Sequence, residues 1–258
     1  MTTMQKYFVA PEQFGEHYIE ISGQDAHHVT HVMRTKEGDL FIVSDGEARE
    51  ALVEYTSVEA GTVKARIVEM RELDREPHYD IVIAQSLPKG DKMELIIQKC
   101  TEIGAASFVP FVSERTVVQY DAKKEAKRIE RWSKIAKEAA EQSHRNRVPS
   151  IAPCMSWKQL LQHVSSYELV LFCYEDERGT QLRDIVHPFV MERREHKGNA
   201  KVMIVVGPEG GFAPREVEEI TSAGAHCVGL GRRILRAETA GMLALACLLY
   251  ETGEMGGV

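Results

Sequence analysis

Five short runs in the later part of the chain contain no charged residue: Ile81 to Ala84, Phe108 to Val112, Leu169 to Cys173, Val202 to Val206 and Cys227 to Leu230. Strands that are apolar on both faces must be buried on both faces, which is the condition of a parallel sheet covered by helices. The segments between them supply those helices. Met93, Ile96, Ile97, Cys100 and Ile103 recur at the spacing of one helix face. Pro214 to Ser222 opens with a proline where a first helical turn tolerates one. Glu238 to Tyr250 is apolar nearly all round, so that helix should be buried or lie in an interface. The alternation predicts an α/β domain over residues 75–258 with a mostly parallel sheet.

The first 74 residues read differently. They hold 7 Lys and Arg against 14 Asp and Glu, so the whole formal charge of -7 lies there and the remainder is balanced. Short apolar runs (Tyr18 to Ile21, Leu40 to Val43, Ala51 to Tyr55) are parted by Gly and Asp turns. From Thr62 to Val68, apolar Val63, Ala65 and Ile67 alternate with Lys64 and Arg66, the period of a half-buried strand. Gln24 to Arg34 reads as one short helix. A small β-barrel or compact β domain over residues 1–74 is expected, joined to the α/β domain near the charged stretch Arg71 to Pro77.

Two strand–loop–helix units follow one another late in the chain, VMIVVGPEGGFAPREVEEI and CVGLGRRILRAETAGMLALA. Gly207, Gly210 and Gly211 at a strand's carboxyl end let the backbone turn sharply and approach a ligand, although an ordinary βα turn would use the same residues. Gly229-Leu230-Gly231 begins like a dinucleotide fingerprint, but Ile234 stands where a small residue is needed and too little chain follows. Residues 115–147 carry ten Lys and Arg against five acids, and Lys124, Lys127, Arg128 and Arg131 fall on one helix face. Such a face can neutralise phosphates or merely be solvated.

Other chemistries find little support. His27, His28 and His31 form H-H-x-x-H without the glutamate a zinc protease needs, and no metal is expected. Five scattered cysteines include no C-x-x-C pair, which argues against a disulfide framework and fits a reduced cytoplasm; Cys100 and Cys247 read as core residues on apolar helix faces. The opening MTTMQKYFVA has no apolar signal run, and no stretch approaches ~18 apolar residues, so neither secretion nor a membrane span is expected.

GPEGG at 207–211 and LGRRILRAETA at 230–240 resemble the closing half of the SPOUT methyltransferases. More narrowly, the chain resembles the 16S ribosomal RNA (uracil-N3) methyltransferases, the RsmE family, through HHVTHVMR (27–34), LPKGDKMELIIQKCTEIG (87–104), SERTVV (113–118) and WSKIAKEAAEQSHRNRVP (132–149). The resemblance implies a PUA-like β-barrel, an α/β domain with a deep trefoil knot, a homodimer, and S-adenosylmethionine held largely by backbone in three loops. On this chain those positions are Tyr174, Gly207, Glu209, Gly210, Leu230, Gly231, Ile234, Leu235 and Arg236. It departs from the family at Lys6, where an arginine is usual before the aromatic pair, and at Arg232, where a proline is usual.

The reaction so implied is methylation of uridine N3 in 16S ribosomal RNA within the small subunit, in the cytoplasm. Arg236 would orient the uridine or stabilise its anion, and Glu238 would handle the proton or simply favour the start of a helix. RNA contact is expected from Lys6, Arg34, Lys89, Arg115, Lys124, Lys127, Arg128, Arg145, Asn146 and Arg147. Methylation of a ribose 2′-hydroxyl or another base, and RNA binding without catalysis, are the alternatives.

Overall fold

The computed structural model describes residues 4–193 and 199–255. They form two compact units: Met1–Glu76 with Ala140–Val148, and Pro77–Ala139 with Pro149–Val258.

The first unit is built on strands β1 (Lys6–Phe8) and β2 (Tyr18–Ile21), helix α1 (Gly23–His27), and strands β3 (Leu40–Ser44), β4 (Glu50–Glu59) and β5 (Thr62–Arg71). The sheet order is β1-β3-β4-β5-β2, with β1 parallel to β3 and the other pairs antiparallel. The long β4–β5 hairpin turns on Ala60 and Gly61, both at positive φ, the two-residue geometry that suits strand twist. Register shifts at Leu52/Val53 and Tyr55/Ser57 break its regular pairing, as bulges do where a sheet curls. The alternation in β5 holds: Val63 and Ala65 are fully buried with Ile19, Ile21, Val43 and Val53, while Lys64 and Arg66 are exposed. The expected helix at Gln24 to Arg34 is instead the short α1 followed by a π-helical turn, His28–Val32.

Strand β6 (Tyr79–Ser86) opens the second unit, followed by α2 (Lys92–Ile103), β7 (Ser107–Val112), α3 (Ala122–Gln142), β8 (Ser150–Ile151), β9 (Met155–Ser156), α4 (Trp157–His163) and β10 (Leu169–Cys173). It ends with α5 (Leu182–Arg193), β11 (Ala200–Val206), α6 (Pro214–Ser222), β12 (His226–Val228) and α7 (Ala237–Glu251). The sheet runs β12-β10-β11-β6-β7-β8, with β9 also on β7, and every pair is parallel. All five charge-free runs supply strands of it. On one face, Phe111, Phe172 and Phe212 pack with Trp157 and the buried Val205 and Ile220. Helix α7 packs against α2, α5 and strands β6 and β11.

Helix α7 is apolar all round, and only part of it is covered. Gly241, Ala244, Leu245, Leu248 and Leu249 are buried, whereas Leu243, Cys247 and Tyr250 are exposed. Cys247 is therefore not a core residue, unlike the fully buried Cys100. Its side of the helix lines an open groove of about 790 Å³ with Leu182, Arg183, Ala246 and Met255.

Candidate active site

Because β12, β10 and β11 are neighbours and parallel, the loops leaving their carboxyl ends emerge on one edge of the sheet, where open α/β sheets bind ligands. Cys173 to Glu175, Val206 to Gly211 and Leu230 to Ala237 converge there around a cavity of about 360 Å³; Lys92 from α2 and Ala240 from α7 complete its wall.

Two glycines make this shape possible. A side chain on Gly207 would put its Cβ 2.9 Å from the Phe212 ring, which is packed in the core. Gly211 sits at φ +64, and a Cβ there would lie 1.9 Å from a Glu175 carboxylate oxygen. Only glycine adopts that backbone without strain. Gly210, expected to meet a cofactor, does not line the cavity: a Cβ there would stand 3.3 Å from Cβ of Arg115. Of two adjacent glycines, the one turned to the cavity is Gly211.

The wall is apolar at Cys173, Val206, Leu235, Ala237 and Ala240 and charged at its rim. Burial pushes the Cys173 thiol up to about 12, so it stays neutral and serves as wall, not nucleophile. Lys92 Nζ donates to Glu209 at 2.8 Å, and that bond raises its pKa and keeps it charged. Burial by itself would push Glu209 upward, but the hydrogen bonds from Lys92 and the Lys89 N–H hold its carboxyl below the ordinary range. Lys92 also lies 3.6 Å from Oε2 of Glu238, a buried oxygen without a hydrogen-bond partner. Arg236 stands at the rim with its side chain 82% exposed, 4.0 Å from Oε1 of Glu238.

Tyr174, Gly207, Glu209, Leu230, Gly231, Ile234, Leu235 and Arg236 thus come together as expected residues of one cavity. Sequence reasoning did not single out Lys92, Glu175 and Arg233, which also line it, whereas Gly211 was already named among the loop glycines. Glu175 follows a recognised strand end and was within reach; Lys92 starts a helix more than a hundred residues before its partner Glu209, with no local signal.

The expected RNA contacts divide. Arg34, Lys89, Lys124, Lys127 and Arg147 are exposed. Arg115 is exposed too, but its guanidinium donates to the Gly210 carbonyl at 2.9 Å. On α3, Arg128 reaches Asp91 and Glu94 at 3.5 and 3.3 Å, and Arg131 reaches Glu94 at 2.7 Å, so half of the basic face is spent on α2. Lys6, Arg145 and Asn146, expected on an RNA surface, are buried inside the first unit. Lys6 pairs with Glu50, which also accepts from Asn146 Nδ2 at 2.8 Å, while Arg145 pairs with Glu76. Burial lowers the Lys6 pKa against the opposing pull of Glu50. These are internal ion pairs that leave no charge for a phosphate. The His27 and His31 rings stack on each other, and His28 Nδ1 lies 2.9 Å from the Tyr7 hydroxyl.

Comparison with known proteins matches residues 75–249 to the RNA methyltransferase domain family and residues 21–68 to the RNA methyltransferase PUA domain family. The ribosomal RNA small subunit methyltransferase E of Bacillus subtilis (strain 168) is 41% identical, over 98% of this chain and 99% of that one. Its counterpart from Synechocystis is 34% identical over 92% and 75%. Among solved structures, the methyltransferase E of Neisseria gonorrhoeae bound to S-adenosylmethionine superposes with TM-score 0.82 at 30% identity, over 96% and 97% of the two chains. A methyltransferase from Legionella pneumophila in complex with the same cofactor gives TM-score 0.84 at 29% identity, over 96% and 98%.

Proposed function

The chain belongs to the RNA methyltransferase family of these relatives, and on that premise we propose that it moves the methyl group of S-adenosylmethionine to N3 of a uridine in 16S ribosomal RNA. Methylation of small-subunit ribosomal RNA with this cofactor is the activity its relatives are named for, and the choice of uridine N3 is our own reading. The observation that carries the reading is the cavity built by three backbone loops at the sheet edge, in a chain similar over almost its full length to a relative with the cofactor bound.

The residues present fit that cofactor. The volume of about 360 Å³ lies within the ~300–1,000 Å³ of pockets that enclose small molecules. A Cβ at Gly207 would collide with the Phe212 ring and one at Gly211 with the Glu175 carboxylate, so the loop keeps this cavity-forming shape only with glycine at both positions. Backbone of Gly207 to Glu209, Gly211, Leu230 and Gly231 would hold the cofactor, with Glu175 offering negative charge to a cationic ligand while the Glu209 charge is met by Lys92. Bound, S-adenosylmethionine supplies a methyl group already activated by its sulfonium.

The chain must then orient the uracil, keep water out and help N3 give up its proton. The apolar stretch of wall at Val206, Leu235, Ala237 and Ala240 would shield the transferred methyl group from water once the cofactor and uracil fill the cavity. Arg236, exposed at the rim, would stabilise the negative charge that develops on the uracil. Glu238, whose buried Oε2 makes no hydrogen bond and lies 3.6 Å from Lys92 Nζ, is the acceptor we assign to the proton. Exposed Arg34, Lys89, Lys124, Lys127 and Arg147 are the cations suited to phosphates. The open groove along α7 is suited to a second copy of the chain, and a homodimer is part of the proposal, as are the trefoil knot and a cytoplasmic location.

Incubating the purified protein with isotope-labelled S-adenosylmethionine and unmodified small ribosomal subunits tests this. Label recovered as N3-methyluridine supports it. Label on a ribose or another base leaves the fold's activity but removes N3, and absence of both cofactor binding and label leaves only an RNA-binding protein.

A further inference from the structure

The loop that forms the cavity is held from behind as well as from within. Glu216, in the first turn of α6, is completely buried. One of its carboxylate oxygens accepts the Ala213 N–H at 2.9 Å, as a helix-start carboxylate often does. The other accepts the N–H of Glu114 at 2.8 Å, across 102 residues of sequence. Capping α6 requires neither the second bond nor the burial of a charged group, which is costly in itself.

The second bond leads back to the cavity. Next to Glu114, Arg115 donates to the carbonyl of Gly210 at 2.9 Å. The turn between them is tight: the Ser113 N–H donates to Thr116 Oγ1 at 2.9 Å, and the Ser86 hydroxyl lies 2.8 and 2.9 Å from those of Ser113 and Thr116. Gln85 Nε2 donates to the Gly207 carbonyl at 3.1 Å. The segment from Gly207 to Ala213 is therefore gripped at three backbone atoms by Gln85, Arg115 and Glu216, none of which lines the cavity.

We propose that Glu216 is a positioning residue for the cofactor: through the Glu114 N–H it fixes the Ser113–Thr116 turn, and through Arg115 that turn fixes the glycine loop in its binding shape. The inference rests on the cavity being the S-adenosylmethionine site. A loop with unpaired backbone groups at 210 and 213 would have to be ordered by the ligand, and that ordering reduces affinity.

Glu216→Gln keeps the volume and replaces one acceptor by an amide donor facing a backbone donor. Cofactor affinity, read by calorimetry without RNA well below the melting temperature, should fall about tenfold, the order expected for losing a bond to a charged acceptor. Turnover at saturating cofactor should fall less, and the amides of Glu114 and Ala213 should exchange hydrogen faster. Arg115→Ala, an exposed change, should weaken cofactor binding in the same direction and keeps the test alive if Glu216→Gln does not fold. Weaker binding in every folded variant supports the proposal; wild-type affinity in either folded variant overturns it. A wild-type protein that does not bind the cofactor would instead overturn the assignment of the site, so the two failures are distinguishable.

Discussion

Gly211→Ala isolates what the cavity requires of its backbone. At φ +64 an alanine pays the left-handed penalty, about 1–2 kcal/mol for an L-residue. Its Cβ would also fall 1.9 Å from Glu175 Oε1 and 2.9 Å from Cδ, and that overlap is relieved if the Glu175 side chain swings away. The backbone term has no such relief unless the loop leaves its present shape, and then the cost appears as lost affinity. One to two kcal/mol corresponds to a factor of about 5–30 in the S-adenosylmethionine dissociation constant. Gly210→Ala, at an ordinary φ with its nearest neighbour 3.3 Å away, should change the constant by less than about threefold. Titration calorimetry on both variants, repeated for Gly211→Ala in a Glu175→Ala background, separates backbone from side-chain cost. If Gly211→Ala binds within twofold of wild type, or if Gly210→Ala is the more damaging change, the assignment of Gly211 to the cavity wall is wrong.

Arg236→Ala should lower single-turnover transfer by about 10²–10³ while cofactor affinity moves only a few-fold; near-normal transfer would remove Arg236 from the chemistry. Lys6→Ala should destabilise the protein by about 3 kcal/mol in urea denaturation, because it strands Glu50 in the interior, and should leave the salt dependence of RNA binding unchanged. Glu at both Lys124 and Lys127 should weaken RNA binding across sequences and flatten its salt slope, with cofactor binding unaffected; a wild-type slope would show a merely solvated face. Burial would raise the Asp45 pKa, but three backbone N–H groups and the Arg49 guanidinium hold the carboxyl at about 2. A depressed pKa contributes stability that is present above the unfolded value of 3.8 and lost as pH falls toward 2, so Asp45→Asn should make acid denaturation shallower between those values.

How far the molecule can be read from its sequence depends on the distance over which each feature is decided. The charge-free strands and the glycines at their ends are local patterns, and they placed the sheet and two of the three loops. Lys6 and Arg145 looked like surface cations because their partners, Glu50 and Glu76, lie 44 and 69 residues away. Half of the basic face of α3 is neutralised by Glu94, 34 residues before Arg128. Helix α7 is apolar on all sides, so periodicity had no means of telling covered Leu248 from exposed Cys247. Gly210 and Gly211 are alike as letters, and only the backbone angle distinguishes the one facing the cavity. Strand β1 is three residues long, too short for alternation to register.

The central claim is tested most directly by nucleoside mass spectrometry of 16S ribosomal RNA from cells lacking this protein, with and without a plasmid supplying it. Loss of N3-methyluridine from a single position, its return with the wild-type gene and its continued absence with Arg236→Ala are the expected results. A 16S RNA that keeps its full set of N3-methyluridine in the deletion strain would contradict the account.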